Sequence, residues 1–409
     1  MRAKQTSKRR TKRYIERTLS VTKLIKMIPK ELLEEIGRQT QVDHQVKHLH
    51  GALMFKLFLF SILKSERLST RLMEFFYNSS EFKAFSDKGG HSTRHSSIAD
   101  RLKTIDAKYF EEIFKVVGTE LEKRFQARNK KVMNILRFDS SLVSVGAGLV
   151  DYGFQLGKRN KNTQGKHQIK FTIGLKGILP REVHLHTEKE YLSEDVALGE
   201  AVLKSAYSKD SIVTFDRGPQ KRELFSEFEE QGISFVTRAN TYIKYELIEI
   251  HKNIKGRKTE TLVLEEDLLV YLFDHQHKKV PFPIRLIKAT MEKGGEPIYF
   301  LTNMKGATAR QVTDIYHRRW DIEVFFRFIK QELNFSNLVS YNKNGIKVMM
   351  YMILIISMMI LLYKKANNIE GYKIAKLTFI DELQMGIVKE IVVACGGDPK
   401  KMKLMYGVE

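Results

Sequence analysis

The sequence contains a single cysteine, Cys395, in 409 residues. One cysteine excludes a disulfide within the chain and excludes a metal site built from several thiolates. Acidic residues are also scarce relative to basic ones, because 48 Asp and Glu stand against 70 Lys and Arg and leave a net charge of +22. So large a positive excess predicts a polyanionic partner, with nucleic acid as the first candidate and an anionic membrane as the second.

One long apolar run, residues 348–363, carries no charge. Its 16 residues fall short of the roughly 20 that a membrane-spanning helix needs. We therefore expect a buried core helix and no membrane partner. We also expect no secretory signal, because Lys23, Lys26 and Lys30 interrupt the first hydrophobic stretch. These features predict a cytoplasmic protein.

A cluster of reactive side chains lies in the last third of the chain. Residues 308–333 predict one amphipathic helix, which begins with the capping-box pair Thr308 and Gln311. At roughly 100° per residue, four of its side chains fall within an arc of about 60°: Tyr316, Arg319, Glu323 and Lys330. A carboxylate flanked by two cations and a phenol suits metal and phosphate binding. The alternative is a solvated, salt-bridged helix face.

Two aspartates lie on predicted strands upstream of this helix. Residues 132–145 are mostly apolar around one acid, Asp139, and residues 211–216 form a second apolar segment that ends in Asp216. The chain between them predicts two further strands and a helix, at residues 168–175, 182–187 and 193–207. A lone Asp at a strand end is more often a turn or cap residue. Two strand acids together with a helix acid, however, supply the hard oxygen ligands that suit Mg²⁺ or Mn²⁺.

The spacing of Tyr316, Arg319, Glu323 and Lys330 resembles the Y-(2)-R-(3)-E-(6)-K signature of the transposases of IS4-type insertion sequences. The resemblance extends over about residues 90–365. It implies a DDE catalytic triad on an RNase H-like α/β fold. The predicted order of strand, strand, strand, helix and strand agrees with such a core, in which the first and fourth strands are neighbours.

The resemblance also implies roles for individual residues. Asp139, Asp216 and Glu323 would be the catalytic residues and would bind two Mg²⁺ or Mn²⁺ ions. Phosphates of the transposon end would be held by the other three signature residues, Tyr316, Arg319 and Lys330. Further contacts to the DNA backbone are predicted for basic residues near the two aspartates, namely Lys166, Lys170 and Arg217.

The sequence pattern and the resemblance together predict four regions in the chain. We expect a basic arm at residues 1–19 and a helical DNA-binding region at residues 20–130. An RNase H-like core should follow at residues 131–345, with a β-rich insertion at about 238–297. The chain should continue with a C-terminal helical region at residues 346–409. The helical region could contain a helix-turn-helix variant around Gly89 and Gly90 that presents basic residues to DNA, namely Arg94, Arg101 and Lys103. A plain helical bundle is the alternative.

Together these features predict a DNA transposase. It would cleave the ends of an insertion sequence, join them to target DNA, act on double-stranded DNA as a homodimer and stay with the nucleoid of a prokaryotic cell. Two other functions remain open. An RNase H-like nuclease or resolvase would share the three acids, and a domesticated copy would bind DNA without catalysis.

Overall fold

The computed structural model describes most of the chain. The described residues are 19–402 apart from 87–90, 129–133, 145–153, 157–165, 220, 275, 337 and 341. Residues 1–18 of the predicted basic arm lie outside this set, as do Gly89 and Gly90 of the predicted turn. The side chain of Lys166 is also not described.

Seven helices precede the sheet in the described part of the chain: α1 (Val21–Ile25), α2 (Lys30–Thr40), α3 (Gly51–Lys64), α4 (Thr70–Asn78), α5 (Ser80–Ser86), α6 (His95–Thr104) and α7 (Ala107–Arg128). Polar caps fix two of the starts, since the side chains of Ser20 and Ser69 accept backbone N–H groups of α1 and α4. Helix α3 is apolar on all sides and is almost fully buried.

The predicted DNA-facing role of Arg101 on α6 is wrong in this structure. Its Nε donates to Leu49 O at 2.9 Å, and its Nη2 donates to Val42 O at 2.8 Å and to Asp43 Oδ1 at 3.3 Å. The guanidinium therefore ties α6 to the loop between α2 and α3. Lys103 is exposed and pairs with Asp100 on its own helix.

The central sheet begins with four strands: β1 (Ile135–Ser144), β2 (Phe154–Leu156), β3 (Lys166–Lys176) and β4 (Leu179–His186). Helix α8 (Glu194–Lys204) then leads to β5 (Ile212–Thr214), and α9 (Arg222–Glu230) leads to β6 (Ser234–Ala239). Strand β1 pairs with β3 in antiparallel and with β5 in parallel orientation. The predicted order of elements is thus confirmed, and the first and fourth predicted strands are neighbours.

Five more strands extend the same sheet beyond β6: β7 (Tyr245–Ile250), β8 (Arg257–Lys258), β9 (Leu262–Leu272), β10 (Ile284–Met291) and β11 (Ile298–Thr302). The strand order is β2-β3-β1-β5-β6-β11-β10-β9-β7, with β4 on β3 and β8 on β9. The predicted β-rich segment therefore continues the core sheet and does not form a second sheet. A mixed α/β fold around one large open sheet is consistent with the RNase H-like prediction.

The predicted single helix over residues 308–333 is wrong. The structure has two helices there, α10 (Ala309–His317) and α11 (Trp320–Glu332). The predicted start is confirmed, because Thr308 and Gln311 form the capping box. The four signature side chains are consequently divided between two helices and the turn that joins them.

A buried arginine on β1 explains the break. Arg137 Nε donates to Arg318 O at 2.6 Å, and an uninterrupted α-helix would pair this carbonyl with Ile322 N. Ile322 N instead donates to Arg319 O at 3.1 Å, which is the spacing of a 3₁₀ turn. A residue about 180 positions upstream thus ends one helix and starts the next.

Two long helices complete the described chain, α12 (Lys343–Ala366) and α13 (Tyr372–Ala394). Among the described residues, α12 is the one helix long and apolar enough to cross a membrane, and 94% of its most apolar window is buried inside the protein. It is surrounded by the N-terminal helices, α13 and β4. This arrangement agrees with the predicted core helix.

The largest hydrophobic core joins the N-terminal helices to the C-terminal ones. It includes Phe58 of α3, Phe171 of β3, Phe326 of α11 and Ile355 of α12. A second core, on the other side of the sheet, is formed with α8 and α9, and a third lies under α10. The helical region before the sheet therefore buries its apolar side chains against the same elements that hold α11.

Candidate active site

Asp139 lies in the middle of β1, and Asp216 lies two residues beyond the end of the neighbouring strand β5. Strands β1 and β5 pair in parallel with Arg137 opposite Thr214. Continuing that register by two residues places Asp139 beside Asp216, just beyond the last paired residue of β5. The carboxyl group of each residue turns back onto its own chain, since Asp139 Oδ1 accepts from Ser140 N and Asp216 Oδ1 accepts from Gly218 N, both at 2.8 Å.

Burial raises the pKa of Asp139 to about 7 from an ordinary value of 3.8. The negative charges of Asp216 and Glu194 raise this pKa further, whereas the Ser140 amide and Arg319 oppose the shift. A buried carboxyl group beside a second carboxylate needs a proton or a cation to be stable. The site therefore has an unmet requirement for positive charge.

Glu323 lies in the first turn of α11 and is held by Arg319. The Arg319 Nη2 atom donates to Glu323 Oε1 at 2.6 Å. The charge of Arg319 also lowers the pKa of Asp139, so Arg319 is near enough to interact with Asp139 as well as with Glu323. This placement joins the predicted residues of the helix to those of the sheet.

The chemistry of the three carboxylates fits a divalent cation, but the distances between them do not form a closed metal site. In the described part of the chain, no group of three or more His, Cys, Asp or Glu side chains is spaced to hold a metal ion. Yet each of Asp139, Asp216 and Glu323 has one oxygen bound by a protein donor and, among the described residues, a second without a hydrogen bond. Hard oxygen donors of this kind suit Mg²⁺ or Mn²⁺.

Two guanidinium groups lie close to the ring of Tyr316. The Arg319 Cζ atom is 5.5 Å and the Arg238 Cζ atom 6.0 Å from the centre of its ring. The Nε atoms of both arginines are buried without a hydrogen-bond partner among the described residues. Buried N–H groups that lack an acceptor favour binding of an anion, and a phosphate oxygen would supply the acceptor.

Arg238 was missed by the sequence interpretation. It lies near the end of β6, the strand that pairs in parallel with β5. Thr237 Oγ1 donates to Asp216 O at 2.8 Å, which fixes the end of β6 against Asp216. An arginine that ends an apolar strand was the available signal, but only the strand pairing shows that it faces Tyr316.

An open cavity of about 350 Å³ adjoins these residues. Its lining includes Arg238, Tyr316, Arg319 and Trp320, together with Met291 of β10. Trp320, the one tryptophan of the chain, is 53% exposed. Cations and exposed aromatic rings together are typical of surfaces that contact nucleic acid strands.

Lys330 is half-buried two turns further along α11. Burial lowers its pKa, and the negative charge of Asp139 opposes that shift. Its ammonium group is 5.9 Å from the centre of the Phe326 ring. Lys330 is thus near enough to Asp139 for the two charges to interact, and its contact with DNA stays a prediction.

The predicted DNA contact of Lys170 is wrong. This lysine is 3% exposed, and its ammonium group binds Tyr191 O at 2.9 Å, Leu192 O at 3.1 Å and Glu194 Oε1 at 2.7 Å. All three acceptors belong to the protein, so no proton of the ammonium group is left for a phosphate. Lys170 instead fixes the start of α8.

Glu194 is a second residue that the sequence interpretation missed. A Cβ atom added at Gly218 would lie 2.8 Å from Asp216 Oδ1 and 3.0 Å from Glu194 Cγ. Glycine at position 218 therefore lets Glu194 approach Asp216. Arg217 is exposed beside Asp216 and stays a predicted DNA contact, whereas the side chain of Lys166 lies outside the described residues.

Comparison with known families decides the relationship of this chain. The family described as "Transposase DDE domain" matches residues 130–359, more than half of the 409 residues. The chain belongs to this family. The match contains all three predicted catalytic residues and all four signature residues. The predicted resemblance to DDE transposases is therefore confirmed.

Curated transposases are also similar to this chain. A Sinorhizobium fredii protein named as transposase y4zB is 24% identical over 43% of this chain and 48% of its own length. A Geobacillus stearothermophilus protein named as the transposase of insertion sequence element IS5377 is 26% identical over 53% of this chain and 55% of its own. These matches span about half of each relative.

A third relative agrees with the IS4-type resemblance. It is a Synechocystis protein named as a transposase of insertion sequence element IS4SA, 23% identical over 64% of this chain and 69% of its own length. The similarity to this relative therefore covers more of the chain than the family match does.

Proposed function

We propose that this member of the transposase DDE domain family is a DNA transposase. It cleaves the ends of an insertion sequence and joins them to target DNA. The observation that carries the proposal is the parallel pairing of β1 with β5, which sets Asp139 beside Asp216, together with Arg319, which pairs with Glu323 on α11 and interacts with Asp139. The surrounding cations make this carboxylate site suitable for a phosphodiester substrate.

In this proposal Asp139, Asp216 and Glu323 would hold two Mg²⁺ or Mn²⁺ ions. When bound, such ions would supply Lewis-acid activation of a water or of a DNA 3′-hydroxyl, which is the chemistry that attack on a phosphodiester needs. The buried carboxyl of Asp139 gives up its proton to take part, and Arg319 keeps Glu323 directed toward the strand acids. These carboxylates thus supply the negative charge that the cations need.

The phosphates of the bound strand are held by the cations around Tyr316. Arg319 and Arg238 offer buried Nε donors close to the ring. Burial removes part of the water around the Lys330 ammonium group. A phosphate beside it would take the place of that water and stabilise the positive charge. Arg217 adds a charge at the exposed edge, beside Asp216.

The domain roles follow the family resemblance. We propose that residues 20–130 recognise the DNA end, that the core of residues 131–345 performs the chemistry, and that the segment of about 238–297 contacts the DNA ends. The C-terminal region, residues 346–409, supports α11 through the shared core. A homodimer would bring two ends and two catalytic sites together, and DNA as the substrate places the protein with the nucleoid in the cytoplasm.

Cleavage of a labelled duplex tests the proposal. The duplex carries the short inverted repeats that flank the gene, and the protein is added in Mg²⁺ or in EDTA. We expect Mg²⁺-dependent nicking at the repeat and strand-transfer products with the wild type. Asp139→Ala, Asp216→Ala and Glu323→Ala should abolish cleavage and keep DNA binding, whereas Asp381→Asn, an exposed acid on α13, should match the wild type.

The outcomes separate the remaining functions. Cleavage without strand transfer, or without preference for the repeat, would indicate an RNase H-like nuclease or resolvase. Specific binding with no cleavage in Mg²⁺ or Mn²⁺ would indicate a non-catalytic DNA-binding protein. Wild-type cleavage by any of the three alanine variants would remove that residue from the site.

A further inference from the structure

Arg137 is a buried cation that the proposed chemistry does not use. It lies on β1 two residues before Asp139, so both side chains project from the same face of the sheet. Its side chain is 3% exposed. A charge buried this deeply is retained only where its hydrogen bonds are fully used.

Three separate elements meet at this guanidinium. Nε donates to Arg318 O at 2.6 Å, Nη1 donates to Gly177 O at 2.8 Å, and Nη2 pairs with Asp321 Oδ2 at 3.1 Å. The acceptors belong to the turn between α10 and α11, to the turn between β3 and β4, and to the first turn of α11. One rigid, planar group therefore joins the strand of Asp139 to the helix of Glu323.

The contact with Arg318 O also sets the direction of α11. Because Arg137 takes this carbonyl, the chain passes through a 3₁₀ turn before α11 begins. A 3₁₀ turn advances about 120° per residue against about 100° in an α-helix, so a continuous helix would rotate Glu323 by some tens of degrees. Arg319 and Glu323 lie directly after this turn.

We propose that Arg137 is a positioning residue of the active site. It sets the orientation of Arg319 and Glu323 toward Asp139 without touching the substrate. The expected effect on cleavage rests on the proposed function. The expected effect on the position of Glu323 rests only on the contacts that Arg137 makes in the protein. Asp321, 57% exposed, neutralises the guanidinium from the solvent side and is not required for the two carbonyl contacts.

Two substitutions at Arg137 and one control separate positioning from general stability. Arg137→Lys keeps the charge, but one ammonium group cannot reach the three acceptors in their fixed directions. Arg137→Met keeps the length and removes every donor. Asp321→Asn is the matched control, since it removes the charge partner and leaves the contacts to Arg318 O and Gly177 O intact.

Four properties are measured for each full-length variant. They are the single-turnover cleavage rate at saturating protein, the affinity for the end duplex in EDTA, the affinity for Mn²⁺ without DNA by electron paramagnetic resonance, and thermal melting. The Mn²⁺ titration needs no turnover. If the wild type binds Mn²⁺ and does not cleave, the proposed function fails while the positioning proposal is still decided.

For Arg137→Lys we expect the cleavage rate to fall about 100-fold and Mn²⁺ affinity to fall about tenfold. DNA affinity should stay within about threefold of the wild type, because phosphate contacts dominate it. Asp321→Asn should stay within about threefold in cleavage, DNA binding and Mn²⁺ binding. Arg137→Met should repeat the pattern of Arg137→Lys with a larger loss.

The proposal is overturned if Arg137→Lys cleaves DNA and binds Mn²⁺ within about threefold of the wild type. It is also overturned if Arg137→Lys loses DNA affinity in the same proportion as cleavage, since that result indicates a general structural role. The proposal is also overturned if neither Arg137 variant folds, because Arg137 is then required for the fold in general. If only Arg137→Met fails to fold, Arg137→Lys decides.

Discussion

Arg319 and Glu323 form an ion pair one turn apart, with Arg319 Nη2 at 2.6 Å from Glu323 Oε1. Their side chains are 12% and 30% exposed, so solvent screens the pair only partly. The acid that would bind a metal ion is thus already fixed by the cation that would bind a phosphate. Cleavage at this site is therefore expected to depend on Arg319.

Arg319→Lys tests this dependence. A lysine ammonium can approach Glu323 but cannot at the same time present planar donors beside Tyr316. We expect the cleavage rate of the variant to fall at least about tenfold while its melting temperature stays close to that of the wild type. Single-turnover cleavage is the measurement. Arg310→Lys, which replaces an exposed arginine of α10, is the matched control. An equal rate for Arg319→Lys and Arg310→Lys would contradict the assignment.

The cations beside Tyr316 and Glu323 should each contact one phosphate. We expect Arg238→Ala and Lys330→Ala to weaken binding of the end duplex and to lower the salt slope by about one unit each. The affinity is titrated at several salt concentrations. Lys389→Ala, which removes an exposed lysine of α13, is the control. Unchanged slopes for both site variants would show that this face does not bind DNA.

The raised pKa of Asp139 predicts a pH dependence of stability. Without metal, the folded protein keeps the Asp139 proton up to about pH 7, whereas the unfolded chain loses it near the ordinary value of 3.8. The folded state then binds more protons, so its stability falls as the pH rises from about 4 to about 7. Asp139→Asn removes this loss and should be more stable than the wild type at pH 8 by about 1–3 kcal/mol.

Denaturant unfolding in EDTA at pH 5 and pH 8 measures this difference. The advantage of Asp139→Asn should be larger at pH 8 than at pH 5. Added Mg²⁺ should stabilise the wild type more at pH 8, because the cation competes with the proton. Asp314→Asn serves as the control for replacing an exposed acid. An advantage that does not change with pH would contradict the raised pKa.

The pair of Asp267 and Arg285 should dominate the stability of the extended sheet. Both side chains are 0% exposed, and Arg285 also donates to Met304 O and Ala307 O just before α10. Asp267→Asn leaves the guanidinium buried without its counterion, so we expect about 3 kcal/mol of destabilisation. Chemical denaturation gives the value, with Glu292→Gln as an exposed control near zero. A loss below about 1 kcal/mol for Asp267→Asn would contradict the expectation.

The sequence was sufficient to predict the elements that carry the acids. Strands around Asp139 and Asp216 follow from local apolar runs, and their adjacency follows from the order of elements, which the parallel pairing of β1 with β5 confirms. The capping box at Thr308 was likewise a local pattern. These predictions depend on short stretches of sequence, which carry their own periodicity and turn residues.

What the sequence could not predict depends on distant contacts. The break before Trp320 contains no proline or glycine and is explained by Arg137, a residue on another element. Lys170 was predicted to bind DNA because it is basic, yet carbonyl groups near α8 and Glu194 surround it. Arg238 reaches the site only because β6 pairs with β5.

The most direct test of the central claim replaces each acid by cysteine in a Cys395→Ser background. The background removes the only native thiol, and a thiolate accepts Mn²⁺ more readily than Mg²⁺. We predict that Asp139→Cys, Asp216→Cys and Glu323→Cys do not cleave the end duplex in Mg²⁺ and that at least one regains cleavage in Mn²⁺. Cleavage in Mg²⁺ at the wild-type rate by all three variants would contradict a carboxylate metal site at these residues.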